Sequence, residues 1–292
     1  MSLIRYRFIA GVLALSTSWA LAAPQTTITI KPKEESDAAA GKAAELRQAS
    51  TVLLLTEKGK QLGSGVLVSR GVTGAWVATN RHVVASQSRV CVMTADRLTF
   101  PAQVLPEIKE KLQGTVDLAL IWLPGDEKVA FPAAAIKDES LIAQDLPLVV
   151  ATGFPTPSIR SVNGPSYRES MGLLVPLLSS PLQDGLDLAY TAYVDKGMSG
   201  GGVFHGNDLI GINSAHRDPL WPGQWRDGRG RAVEQTLNEK LDTVSLGISA
   251  KQIKEALMAA KQPSASDLNR LMQPVCNPGE QDGRSVSLRV LS

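Results

Sequence analysis

Hydrophobic positions change their rhythm at about Ser50. Residues 23–47 are polar, Ala-rich and charged, with Lys31-Pro-Lys-Glu-Glu, and predict a solvated arm or a short helix over Asp37–Arg47. From Ser50 onward short β-rich runs follow one another, each bounded by Gly, Pro or Asp. The first set is Thr51–Thr56, Gly65–Ser69, Ala75–Thr79, Arg89–Met93, Leu98–Leu105 and Val116–Leu123. The second is Leu146–Thr152, Leu188–Val194, Gly202–His205, Leu209–Ser214 and Thr243–Ile248. Regularly spaced short strands with turn signals and little helix predict an all-β barrel or sandwich. The number of runs suits two six-stranded antiparallel barrels, at about 48–124 and 140–250, with Pro124–Asp145 crossing between them. The last run leads into Ser249-Ala-Lys-Gln252, which reads as a capping box. Ile253, Ala256, Leu257 and Ala260 then recur at helical spacing until Pro263, so a C-terminal helix closes the domain. Residues 262–292 read as a tail with at most a short helix over Asp267–Met272.

The opening segment reads differently. Arg5 and Arg7 precede a mostly apolar stretch, Phe8–Leu15, that is too short to span a bilayer. Ala20-Leu21-Ala22 is a small-x-small cleavage signal, so residues 1–22 are expected to be an export signal. The expected home is the periplasm or the medium, with no membrane attachment once the signal is gone. Removing that segment leaves basic and acidic residues in balance, which offers no footprint for a nucleic acid. Cys91 and Cys276 are an even pair that could form a disulfide in an oxidising compartment. A buried free Cys91 in its strand-like run is the competing reading. Neither cysteine has surroundings that lower a thiol pKa.

Three stretches carry candidate chemistry. Ala78-Thr79-Asn80-Arg81-His82-Val83-Val84 delivers a histidine at the end of a strand. Val116-Asp117-Leu118-Ala119-Leu120 puts an acid into an apolar run, where an unpaired carboxylate is costly to bury. Lys196-Gly197-Met198-Ser199-Gly200-Gly201 packs a serine among glycines. Acyl transfer uses these residue types. A serine hydroxyl is a weak nucleophile until a base takes its proton. An imidazole titrates near neutrality and can take it. A carboxylate behind the imidazole fixes its tautomer and stabilises the imidazolium. A glycine at 197 can bring its N–H and that of Ser199 together on a developing oxyanion, at about 3–4 kcal/mol for one donor. A lone histidine or a turn serine is common, and only the ordered set of three points to catalysis.

In the order His–Asp–Ser, these stretches resemble the trypsin-like peptidases of the chymotrypsin superfamily, and most closely the bacterial HtrA/Deg-type proteases. The likeness extends to Gly63-Ser64-Gly65-Val66, Leu209-Ile210-Gly211-Ile212-Asn213 and Gly247-Ile248-Ser249-Ala250. It covers about residues 50–260, with 35 residues from His82 to Asp117 and 82 from Asp117 to Ser199. The resemblance implies a chymotrypsin-like fold over residues 48–261 and a serine endopeptidase without cofactor. Its catalytic residues would be His82, Asp117 and Ser199, with an oxyanion hole from Gly197 and Ser199. The primary pocket would be framed by Tyr193 to Lys196 and by Asn213, Ser214 and Ala215. Tyr193 stands where trypsin has its acid, so a small or medium apolar P1 side chain is expected.

The departures also shape expectation. Gly202 replaces the family's proline, and Met198 replaces the aspartate that pairs with a freed N-terminus in digestive proteases. No zymogen step of that type is expected. No PDZ-like domain is expected, and the oligomeric state stays open. His205 and His216 lack metal-ligand spacing, so no zinc is expected. Arg217–Arg231, with Trp221 and Trp225, reads as a surface loop pinned by its tryptophans or as a cover over bound peptide. The partner would be a peptide or protein substrate. A binding or chaperone module on the same fold, with little turnover, is the alternative.

Overall fold

The computed structural model describes residues 37–71, 73–105, 116–125, 131–137, 146–157, 165–215, 223–263 and 276. Helix α1 (Asp37–Ser50) runs directly into strand β1 (Thr51–Leu55). Strands β2 (Gln61–Gly71), β3 (Gly74–Thr79), β4 (Arg89–Met93), β5 (Thr99–Val104) and β6 (Ala119–Pro124) follow. They close into a six-stranded antiparallel barrel in the order β1-β2-β3-β6-β5-β4, with Leu54 opposite Val92 where the ring closes.

Both faces of the middle strands are buried, which is why they read as continuous apolar runs. On β3 and β6, Val77, Ile121 and Leu123 point into the barrel with Val52, Leu67 and Phe100. The alternate residues, Trp76, Ala78, Leu120 and Trp122, point outward into a second apolar cluster. Trp76 and Trp122 meet there edge to face at 4.7 Å.

The second half is a seven-stranded sheet. Its members are β7 (Ala135–Ile136), β8 (Leu148–Gly153), β9 (Arg168–Leu173), β10 (Leu188–Tyr190), β11 (Gly202–His205), β12 (Asp208–Ala215) and β13 (Ser245–Ser249). The path is β10-β13-β12-β11-β8-β9, with β7 added in parallel beside β12. Two closed barrels were expected, and the second differs. Its end strands meet through a single bridge, Leu174 to Tyr190, and not through a full ladder. Part of the reason is that the Thr191 side chain takes the Leu173 N–H at 2.9 Å, where a ladder partner would stand. Gly172 also lies so close to Ala192 that a Cβ would sit 2.0 Å from its nitrogen.

The outward cluster joins the two halves. Phe204, Leu209, Ile212, Leu246 and Ile248 pack there with Val66, Trp76 and Trp122. Helix α2 (Gln235–Leu241) and helix α3 (Ala250–Ala259) border it, through Leu241 and through Ile253 and Ala256. Across the same seam the Thr51 and Thr152 hydroxyls share a hydrogen bond of 2.9 Å.

Several local expectations change. Helix α1 is no free arm, because Arg47 is buried and grips Glu169 on β9 with two bonds of 2.9 and 3.1 Å. The predicted capping box does not form, since Ser249 makes no side-chain cap. The Asp187 carboxylate takes both the Ser249 N–H and its hydroxyl, each at 2.7 Å. Gln252 turns instead to the Gly185 carbonyl at 2.7 Å. Donation to Asp187 turns the Ser249 hydroxyl toward that carboxylate and away from the first N–H groups of the helix. Cys91 and Cys276 form a disulfide, which resolves the open choice between a pair and a free thiol. Trp225 is anchored by Asp242 and Asn238, at 2.8 Å each. Trp221, His216 and Asp267–Met272 lie outside the described residues.

Candidate active site

The histidine stretch begins where β3 ends. Its backbone makes a tight turn, with Val83 N–H bonded to Asn80 O and Val84 N–H to Arg81 O, both at 3.2 Å. Val83 and Val84 are buried in the barrel core, which fixes the turn and leaves the His82 ring half exposed above it. Asp117 lies two residues before β6 and not within it, and its side chain is buried. Its carboxylate takes three donors: the His82 N–H at 2.9 Å, the His82 ring at Nδ1 at 2.6 Å, and the Ser214 hydroxyl at 2.8 Å. An ionised carboxylate only accepts, so this contact places the ring proton on Nδ1 and leaves the Nε2 lone pair free. The Asp117 backbone is equally tied, to Arg81, Asn80 and Asp184.

Ser199 comes from the other half, on the turn that precedes β11. Gly63 on β2 separates it from the histidine turn. A Cβ on Gly63 would lie 2.9 Å from a Val83 methyl and 3.2 Å from the Ser199 carbonyl, so only glycine lets these segments approach. The Ser64 N–H then bonds the Ser199 carbonyl at 2.9 Å. The hydrogen bonds of the described residues include none between the His82 ring and the Ser199 hydroxyl. Such contacts commonly tighten only when substrate is bound.

The turn around Ser199 has an alternating pattern. Met198 N–H donates to Asp195 O at 3.0 Å, and Gly200 N–H to Asn213 O at 2.9 Å. Among the described residues, the N–H groups of Gly197 and Ser199 find no acceptor inside the protein. Gly197 has φ +97°, and a Cβ there would lie 2.6 Å from Thr156 N. Two carbonyls of this turn are held from behind. Lys196 O accepts from Thr156 N–H at 2.7 Å, and Gly197 O from the Ser64 hydroxyl at 2.8 Å. That hydroxyl also accepts from Phe154 N–H at 2.8 Å.

The expected pocket residues divide. Tyr193 is 43% exposed and its N–H bonds the Ser170 hydroxyl at 2.9 Å. Ala215 is half-buried at the end of β12. Asn213 is fully buried, and its side chain faces the protein interior. Ser214 directs its hydroxyl to Asp117. Met198 is buried among Val149, Val203 and Ile210, apolar company suited to its side chain. In the sequence Ser64 figures only within the Gly63-Ser64-Gly65-Val66 likeness, and Tyr190 is not singled out. The Gly-Ser-Gly spacing upstream of His82 was the available signal for Ser64; Tyr190 had none.

A cleft of about 410 Å³ opens beside the histidine, lined by Arg81, His82, Ala85, Asp117 and Asp184. Arg81 and Asp184 pair across it at 3.1 Å. Among the described residues no group of three His, Cys, Asp or Glu side chains is placed to hold a metal ion.

A closed barrel and a partner sheet, with an Asp–His pair on one and a glycine-flanked serine on the other, define a class of hydrolase. Residues 63–212 match the trypsin-like peptidase domain, and the chain belongs to that family, whose members are serine peptidases. No curated protein matches it. Among solved structures, the HtrA-type protease AlgW with a decapeptide shares the fold at TM-score 0.53 and 19% identity, over 75% of this chain and 66% of that one. AlgW with a tripeptide gives 0.54 and 20%, over 75% and 62%. The chain thus spans a little under two thirds of the length of these structures, and at such identity the likeness is one of fold.

Proposed function

We propose that this protein is an exported serine endopeptidase that cleaves peptide bonds through an acyl-enzyme. Ser199 Oγ attacks the scissile carbonyl while His82 Nε2 takes its proton. The proton passes to the leaving amine, and water repeats the sequence to release the acid product. Asp117 stays ionised and holds the imidazolium. The N–H groups of Gly197 and Ser199 bind the oxyanion. The observation that carries the reading is the Asp117 contact at His82 Nδ1, 2.6 Å, which leaves Nε2 as the free base.

Peptide is the natural substrate class, and the peptide-bound AlgW structures support it by analogy. An apolar P1 side chain of small or medium size follows from Tyr193 at the acid position of trypsin. Export follows from the signal-like residues 1–22, and a Cys91–Cys276 disulfide suits an oxidising compartment. Ser199→Ala in the folded protein should lower kcat by about 10⁶. Near-normal turnover of a peptide substrate by that variant would refute the assignment.

A further inference from the structure

The orientation of the Ser199 N–H is set by the peptide plane it shares with the Met198 carbonyl, because a trans peptide fixes the two in opposite directions. The Met198 carbonyl accepts from Gly201 N–H at 3.0 Å and from Asn213 Nδ2 at 3.2 Å. Asn213 Nδ2 also donates to Thr152 O at 2.8 Å. Two carbonyl acceptors require the NH₂ end of the amide, so its orientation is chemically fixed. The other end, Oδ1, accepts the Tyr190 hydroxyl at 2.7 Å. Both side chains are fully buried. Burial pushes the Tyr190 phenol far above its ordinary pKa, so the hydroxyl remains a donor. The Asn213 backbone serves the same turn, donating to Gly201 O at 2.8 Å and accepting from Gly200 N–H at 2.9 Å.

We infer that Tyr190 and Asn213 are positioning residues for the oxyanion hole, acting in relay from the Tyr190 hydroxyl through the Asn213 amide to the Met198–Ser199 peptide. The inference rests on the hydrolytic reading above and deepens it. Without the Tyr190 hydroxyl, Asn213 Oδ1 is a buried acceptor with no donor. The amide then has a reason to rotate, and rotation would leave the Met198 carbonyl with the Gly201 N–H as its one remaining donor among the described residues. The Tyr190 ring packs among Val149, Leu188 and Ile210, so removal of one oxygen leaves that packing in place.

The test compares wild type with Tyr190→Phe and Asn213→Ser in the full chain. For each, kcat and KM are measured on a peptide substrate, with the inhibition constant of a peptidyl boronate that mimics the tetrahedral anion. Direct loss of an oxyanion donor costs 10²–10³ in kcat, so a misaligned donor should cost about tenfold. The inference expects kcat to fall about tenfold in Tyr190→Phe, boronate affinity to weaken by a similar factor, and KM to hold. Asn213→Ser should show the same split and answers the question should the first variant not fold. Unchanged kcat and boronate affinity in a folded variant, with active wild type, overturn this inference alone. So does a loss of kcat that tracks a fall in Tm while boronate affinity stays at the wild-type value. A folded wild type that neither hydrolyses peptide nor takes the boronate overturns the hydrolytic reading itself.

Discussion

The closed barrel fills its interior with Val52, Leu54, Leu67, Val77, Val92, Phe100, Ile121 and Leu123, all apolar. The partner sheet mixes Val149, Val203 and Ile210 with Tyr190, whose hydroxyl bonds a buried asparagine. Its other buried polar side chains include Thr152, Ser245 and Ser249. Ser245 gives its hydroxyl to Ala192 O at 2.8 Å, on the segment that leads to the Ser199 turn. The contrast follows from closure. A ring of strands satisfies its own backbone and its interior is filled by packing, while the buried polar side chains of this half, Ser64, Thr79 and Asn80, make their hydrogen bonds beside the candidate site. The open sheet has one bridge and no full ladder between its end strands, and the Thr191 hydroxyl takes one N–H that a ladder would have paired. The His82 turn is therefore seated on apolar packing, with Asp117 tied by hydrogen bonds above it, and the Ser199 turn is held by a buried polar network that also takes in Ser64 of β2. Such networks stabilise when every member is satisfied and are costly when one is missing.

That comparison can be broken from either side. Phe100 is buried in the barrel and meets Phe131 edge to face at 5.4 Å. Phe100→Ala should cost about 3–5 kcal/mol of unfolding free energy, read from urea titrations. Turnover per folded molecule should stay near wild type, because no polar contact of the site passes through that ring. A selective loss of kcat without loss of stability would place catalytic control in the barrel interior and undo the contrast. Tyr190→Phe in the sheet should do the reverse, with turnover falling more than stability.

The smallest effect concerns a buried acid of the sheet half. Burial pushes the Asp187 carboxyl above its ordinary value of 3.8, against hydrogen bonds from Ser249 and Gln252 that pull it down. The folded protein therefore holds this proton more tightly than the unfolded chain does. Its contribution to stability is present below about pH 3.8 and is lost as pH rises through the raised folded value. Asp187→Asn removes that dependence. The stability difference between wild type and variant should move against wild type as pH rises from about 3 to about 7. A flat difference would mean that Asp187 is as well solvated by its partners as in water.

The parts legible in sequence were those with a strong local signature. The histidine and aspartate stretches stood out by their apolar flanks, the serine stretch by its glycines, and the three together by their order. Strands β3 and β6 were visible as apolar runs because both faces are buried. Strand β9, Arg-Glu-Ser-Met-Gly-Leu, was not visible. It is an edge strand with three exposed, three half-buried and no buried residues, so it carries neither an apolar run nor an alternation. The Asn213 side chain read as pocket wall because its place beside Ser214 is local, whereas its partners Tyr190 and Thr152 are distant in the chain. Ser249 looked like a helix cap because Asp187, the carboxylate its hydroxyl turns to, lies 62 residues away. Long-range polar partners leave no trace in a pattern of spacing.

The most direct test of the account is covalent labelling. A fluorophosphonate probe reacts with a serine that a neighbouring base has activated, forming an O–P bond as fluoride leaves. Mapped by mass spectrometry on the folded wild type, a single adduct should fall on Ser199 and should vanish in His82→Ala. A folded wild type that takes no label, or takes it elsewhere while Ser199 stays free, would contradict the claim that the seam between barrel and sheet is a hydrolytic site.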